Sequence, residues 1–404
     1  CRMLSMDPER PNLIARVAGS GDGPPLLLYG HVDVVPAVAS EWTHPPFGAE
    51  IADGCVWGRG ALDMKGGVAM MVAAVTAVAT SGEPPPSDVV LMLTSDEEAG
   101  SHCGMGFLVH AHPEQFAGME HAISEVGGMT MWAGDRAVVP VQVAEKQRCV
   151  IRGRLRGPGG HAAAGVQGTA SGRLGRLLAA LDGQRLPVHV TDLVRDVVGA
   201  LAPAVPSGMR PHLARLLVDG ETDDALVALG QFGATLQPLL RNTATPTGLG
   251  GGVASNVVPT ELYVDLDARV VPGCTPEHLL AELEALAPGL ATYELRQVEP
   301  PADTPDDLAL LGLLSDVLAH HEPDAVVVPW VLAGYTDARY VSQLGIQTYG
   351  FLPMRLPRDI TPALMHAPDE RVPVDGLELG VDCLIDVIGR YGEACGARHN
   401  DAQD

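Results

Sequence analysis

The 404-residue chain lacks what several large functional classes require. Basic residues are scarce, with 26 Lys and Arg against 50 Asp and Glu and a formal charge of −24. Such a surface repels phosphate backbones and anionic membranes, so neither nucleic acid nor membrane is an expected partner. No apolar run reaches the length of a spanning helix. The first residues, Cys1-Arg2-Met3, carry no apolar signal core, which points to the cytoplasm, and a start without Met suggests a trimmed or incomplete beginning. The 7 cysteines are scattered, odd in number and include no Cys-x-x-Cys pair, so they read as reduced thiols. A Gly-x-Ser-x-Gly elbow is missing, which removes the usual serine hydrolase, and so is the Gly-x-Gly-x-x-Gly fingerprint of dinucleotide enzymes. The glycine run that remains, Gly248-Leu249-Gly250-Gly251-Gly252, leads toward the alternating stretch 261–267 rather than into a helix, so it is not a phosphate loop.

What is present is a globular composition, 46% apolar and 19% charged, on a chain long enough for two domains. From Pro25 to about Glu125, short apolar strands alternate with helical stretches, an α/β pattern with a mostly parallel central sheet. Predicted strands at 26–29, 89–93 and 122–124 run into Gly30-His31-Val32-Asp33, Ser95-Asp96-Glu97-Glu98 and Glu125. Ligands in open α/β sheets bind at the carboxyl ends of strands, so these polar ends are expected to converge. A buried helix is predicted over 64–80, directly after Asp63. After Lys146 the pattern becomes α+β, with strands at 149–155 and 257–268 and helices at 172–181 and 276–286. The helical, Pro-punctuated stretch 186–240 reads as an insertion within that unit. Helix-strand alternation resumes near Leu308. The expected organisation is a discontinuous α/β domain, 1–147 and 301–404, with an α+β domain, 148–300, inserted into it.

Several residues carry chemistry. His31 and Asp33 are two apart at a strand end, where they share a face and the carboxylate can accept the second imidazole N–H. Asp63 lies in a Gly-rich turn, Gly58-Arg59-Gly60-Ala61-Leu62-Asp63, where a carboxylate can bridge two cations or simply cap the helix. Glu97 and Glu98 point to opposite sides of the backbone, so one can ligate a metal while the other serves as a base. Alone, the pair also suits a solvated loop. Glu125 and His366 complete a set of two imidazoles and three carboxylates that two divalent cations and one hydroxide would neutralise.

In this order and spacing the chain resembles the M20 family of zinc peptidases and deacylases, which includes aminoacylase-1, succinyl-diaminopimelate desuccinylase and the glutamate carboxypeptidases. The resemblance rests on Gly30-His31-Val32-Asp33-Val34-Val35-Pro36, Gly58 to Gly67, Asp96-Glu97-Glu98, Glu125, Gly160-His161-Ala162, Asn256-Val257-Val258-Pro259, Asp267-Ala268-Arg269, Thr336-Asp337-Ala338-Arg339 and His366. It implies a zinc-peptidase-like catalytic domain and an inserted lid or dimerisation domain. Two Zn²⁺, replaceable by Co²⁺ or Mn²⁺, would be held by His31 and Glu125 on one side and by Glu98 and His366 on the other, with Asp63 between them. It implies Glu97 as general base, Asp33 as the residue that orients His31, and His161 as the oxyanion donor. Asn256 and Arg269 would bind a substrate carboxylate, or Arg269 would pair with Asp265 or Asp267. The implied activity is cleavage of an amide or peptide bond next to a free carboxylate, in an N-acyl amino acid or short peptide. Alternatives are a dipeptidase or aminopeptidase of the same fold and a metal-binding scaffold without catalysis. A homodimer through the lid is a further expectation.

Overall fold

The computed structural model describes residues 1–21, 23–302 and 308–401, the side chains of 393–401 excepted. Its centre is built by strands that are apolar on both faces. In strand Leu26–His31 every residue is buried. Leu26 and Leu28 enter one core together with Met70 and Met71 of helix Lys65–Thr80, while Leu27 and Tyr29 enter a second core with Met105 and Leu108 of helix Met105–Ala111. Strand Val89–Thr94 divides the same way, Val89 and Leu91 against Val90 and Met92. Alternate residues of a strand face opposite sides, so continuous apolar runs arise where helices cover both.

These strands lie in a nine-stranded sheet ordered Arg2–Leu4, Asn12–Val17, Val89–Thr94, Leu26–His31, His121–Ser124, Gln347–Gly350, Arg136–Glu145, Val326–Leu332, with Met131–Ala133 paired to Arg136–Glu145. The middle of the sheet is parallel, from Val89–Thr94 through Leu26–His31 and His121–Ser124 to Gln347–Gly350. The chain leaves this sheet after Glu145 and returns to it at Val326, and the intervening chain forms a four-stranded antiparallel sheet of Thr243–Gly251, Glu261–Val270, Gln147–Arg156 and Thr292–Val298. Here the faces differ. Cys149, Ile151, Leu266 and Ala268 pack with Leu177, Leu279 and Leu283 of helices Ala170–Gly183 and Pro276–Leu286. The other face carries cross-strand ion pairs such as Arg148–Asp267 and Arg152–Asp265.

Within the stretch 186–240, expected as an insertion in the α+β unit, helix Asp192–Ala204 packs on strands Val326–Leu332 and Arg136–Glu145 of the nine-stranded sheet. Leu193, Val194, Val197, Val198 and Leu201 form one stripe of that helix and join the core that contains Val138, Val328 and Val331. The helix starts where Thr191 Oγ1 accepts from Val194 N at 3.3 Å. Leu201 is fully buried in this stripe. Leu201→Ala is expected to cost about 2–5 kcal/mol, measured by chemical denaturation; a loss no larger than that of an exposed control such as Val227→Ala would contradict the packing.

Among the described residues no helix is long and apolar enough to cross a membrane. Cys1, Cys55, Cys103, Cys149, Cys274 and Cys383 are free thiols, while Cys395 lies outside the described side chains.

Candidate metal centre

The parallel strands deliver their carboxyl ends side by side, and the polar residues predicted to converge do so. His31 ends Leu26–His31, Glu97 and Glu98 open the turn after Val89–Thr94, and Glu125 follows His121–Ser124. Asp63 arrives from the turn that precedes helix Lys65–Thr80. Gly30 makes that approach possible, because a Cβ there would overlap the Met64 side chain. The Asp63–Met64 peptide bond is cis. His366 comes from the loop after the short helical turn Pro362–Leu364. Its φ of 63° is left-handed, as is the 60° of Val126 directly after Glu125. Non-glycine residues in that region are strained, and such strain is held in place where neighbouring structure fixes a functional side chain.

The distances divide the cluster in two. Nε2 of His31 lies 3.2 Å from Asp63 Oδ1 and 3.4 Å from Glu125 Oε2. Nε2 of His366 lies 3.1 Å from Asp63 Oδ2 and 3.1 Å from Glu98 Oε1. The two oxygens of Asp63 therefore face two separate histidine-carboxylate pairs. A tetrahedron of donors about 2.1 Å from a central cation has edges of about 3.4 Å, close to these separations. Nδ1 of His31 is 3.0 Å from the Asp33 carbonyl oxygen, to which it can donate, so Nε2 is the ring atom left to face a cation. The donor set fits a pair of divalent cations. The His31 side of the cage is buried, whereas His366 is 53% exposed, so the cluster opens to solvent on the His366 side.

Asp33 braces His31 differently from the expectation. Its carboxylate is 3.6 Å from Nδ1, farther than its own carbonyl oxygen. The strand ends at His31, so the shared-face geometry of residues two apart does not extend to Asp33. The carboxylate instead accepts the backbone N–H groups of Glu97 at 3.1 Å and Glu98 at 3.0 Å and fixes the turn that presents both.

The electrostatics of the cage demand positive charge. Burial raises the Glu97 carboxyl to about 10, and the carboxylates of Glu125 and Asp337 push in the same direction. Burial likewise lifts Glu125 to about 7, with His31 opposing. Glu98 is raised by burial and by Asp63. For His31, burial opposes the charged form, but Glu125 and Asp63 outweigh it and hold its pKa well above the ordinary value. Among the described residues no side chain donates a hydrogen bond to Glu97, whose carboxylate comes within 4.8 Å of the donor atoms of His31 and Glu125.

Supporting residues appear that the sequence did not assign. Glu370 is fully buried, and its carboxylate accepts from Leu62 N at 2.7 Å, Asp63 N at 3.0 Å, Gly60 N at 3.1 Å and Arg59 Nη1 at 2.6 Å. Arg59 also donates to the His366 carbonyl at 3.1 Å, so one buried ion pair supports the loops of Asp63 and His366 together. Its only sequence signal was an acidic residue four positions after His366. Asp337, also buried, accepts from Thr94 Oγ1 at 3.4 Å and from Ser101, beside the strand end that leads to Glu97.

His161 and Asn256 meet at a tip of the four-stranded unit, where Gly160–His161 pairs with Val257–Val258 and Ala162 N donates to the Asn256 carbonyl. Both are exposed. Nδ1 of His161 accepts from Ala163 N at 3.2 Å, which leaves Nε2 as its donor. Arg269 lies elsewhere on that unit, bound to Asp267 at 2.7 Å and stacked on Tyr335.

Comparison with known proteins follows the same lines. The profile of peptidase family M20/M25/M40 matches residues 27–390. The chain is 30% identical over 361 residues to a succinyl-diaminopimelate desuccinylase of Stenotrophomonas maltophilia, covering 88% of this chain and 80% of that protein. It is 27% identical over 375 residues to aminoacylase-1 of Sus scrofa, covering 90% and 79%. An M20 family metallo-carboxypeptidase, Sso-CP2 from Sulfolobus solfataricus, shares the fold with a TM-score of 0.68 at 19% identity, over 97% of this chain and 90% of that one.

Proposed function

The chain belongs to peptidase family M20/M25/M40 and is a metal-dependent hydrolase, and on that premise we propose that it cleaves an amide bond next to a free carboxylate, in an N-acyl amino acid or a short peptide. The observation that carries this reading is Asp63, whose oxygens face His31 and His366 at 3.2 and 3.1 Å in two different pairs. His31 and Glu125 would hold one zinc ion, Glu98 and His366 the other, and Asp63 would contribute to both. Cobalt or manganese would suit the same donors. Bound cations supply Lewis acidity toward the scissile carbonyl.

The remaining steps belong to the side chains. Glu97, half-buried and without a side-chain hydrogen-bond donor among the described residues, takes a proton from the attacking water and passes it to the departing nitrogen. Asp33 holds the Glu97–Glu98 turn so that the base faces the reacting carbon. His161 offers its Nε2 hydrogen to the carbonyl oxygen as that oxygen gains charge. Asn256 and Arg269 grip the substrate carboxylate. In this reading, residues 148–300, whose helix Asp192–Ala204 rests on the nine-stranded sheet, supply a lid over the catalytic part, 1–147 and 301–404, and a second copy pairs with it through that lid. The names of the relatives, an aminoacylase, a desuccinylase and a metallo-carboxypeptidase, support the substrate class.

The test is hydrolysis of a panel of N-acetyl amino acids and dipeptides, with metal analysis before chelation, after it and after zinc is restored. About two ions per chain and chelator-sensitive turnover are expected. Reloading should weaken as pH falls through about 7, where Glu125 takes up a proton in competition with the ion, and should strengthen as pH rises. Bound metal with no turnover on any member would overturn the proposal.

A further inference from the structure

We propose that Tyr335 is a positioning residue that sets the orientation of the Arg269 guanidinium and thereby decides how tightly the site holds a substrate carboxylate; this rests on the function proposed above. Arg148 and Arg269 are direct cross-strand neighbours on Gln147–Arg156 and Glu261–Val270. Like charges facing each other across a ladder repel. Two groups hold them together. Asp267 accepts from Arg148 Nε at 3.0 Å and from Arg269 Nε at 2.7 Å. The ring of Tyr335 takes the Arg269 guanidinium at 4.8 Å and that of Arg148 at 5.7 Å from its centroid, and Arg339 at 4.4 Å.

Tyr335 reaches this cluster from the other sheet. It follows strand Val326–Leu332, and its neighbour Thr336 donates its N–H and its hydroxyl to Glu145 Oε2 at 2.9 and 2.8 Å. The ring is therefore fixed to the nine-stranded part while two of its cations belong to the four-stranded part. An aromatic face attracts a guanidinium and fixes its plane. Glu299 is 3.9 Å from Arg148 Nη1 and 3.7 Å from Arg339 Nε, both beyond hydrogen-bond length. Arg269 Nη1 and Arg339 Nε are shielded from solvent and have no hydrogen-bond partner.

Arg339 also feels the carboxylates of Asp337, Glu97 and Glu145, whereas the unpaired Nη1 of Arg269 is the donor left for an added anion. Nε and Nη2 of Arg269 reach the two oxygens of Asp267 at 2.7 and 3.4 Å; without the ring the plane of the guanidinium rests on Asp267 alone, and the direction of Nη1 is no longer fixed.

The experiment compares each N-acetyl-L-amino acid of the panel with the matching N-acetyl amino acid amide, in the metal-loaded enzyme and in Tyr335→Phe and Tyr335→Leu. The parent is expected to prefer the acid. Tyr335→Leu should raise KM for the acid about tenfold with a much smaller change in kcat, so that the acid-over-amide preference falls by the same factor. Tyr335→Phe keeps the ring and should recover most of the loss. Arg148→Met is a second variant in case the leucine protein folds poorly; it frees Asp267 to tighten on Arg269 and should raise KM for the acid in the same direction. An equal loss on acid and amide, a fall in kcat alone, or no rescue by phenylalanine would overturn the inference while leaving the proposed function standing. A parent enzyme that does not distinguish acid from amide would overturn the carboxylate reading itself, and the inference with it.

Discussion

Glu97→Gln should retain full metal content and lose turnover by about three orders of magnitude, within the range that a positioned general base contributes. Glutamine keeps the size and shape of the side chain and removes only its ability to accept a proton. The environment favours that role. Burial, reinforced by Glu125 and Asp337, lifts Glu97 to about 10, and cations bound nearby would lower it again toward the range in which a base works at neutral pH. Metal content by elemental analysis separates this role from the other one the geometry allows, because Glu97 lies within ligating range of His31 and Glu125. A glutamine variant that loses an ion would make Glu97 a ligand, and one that keeps near-parent turnover would remove it from the chemistry.

Glu370→Ala is expected to have the largest effect on stability, a loss of about 3–5 kcal/mol, as for a buried ion pair from which one partner is removed. The change strands the Arg59 guanidinium and leaves the backbone N–H groups of Gly60, Leu62 and Asp63 without acceptors. Metal affinity should fall with it, since the same carboxylate supports the loops of Asp63 and His366. Glu370→Gln retains the shape and one acceptor oxygen, so it should fold and bind metal more weakly than the parent. Thermal melting and zinc titration measure both. An alanine variant that melts like the parent and binds zinc as tightly would show that the loop holds itself.

Much of this protein was legible in its sequence. The strands that lead into His31, Glu98 and Glu125 announced themselves as apolar runs followed by polar clusters, and their convergence follows from the rule that such ends share one edge of a parallel sheet. Helix 276–286 was read to its boundaries, since a threonine before a proline and a run of helix formers mark its start locally. Asp63, Glu97, Glu98 and His366 could be singled out as candidates because residue type and spacing are themselves linear information, and the structure brings them together.

Other features depended on partners that no linear pattern specifies. The insertion 186–240 shows apolar periodicity in sequence, but periodicity states only that a face is buried, and only the tertiary structure shows that it is buried on strand Val326–Leu332. Asp33 was expected to brace His31 with its carboxylate, which requires the strand to continue; the strand ends at His31, and the carboxylate accepts the Glu97 and Glu98 backbone N–H groups. Glu370 and Arg59 are 311 positions apart, and Tyr335 meets Arg148 and Arg269 across two sheets. The sequence by itself determined which groups could hold metal and move a proton, because these are properties of residue type and local spacing. Only the tertiary structure decided which buried ion pair fixes those groups and which aromatic ring orients the arginines, because a charge or a ring takes its partner from whatever the fold brings within a few ångströms.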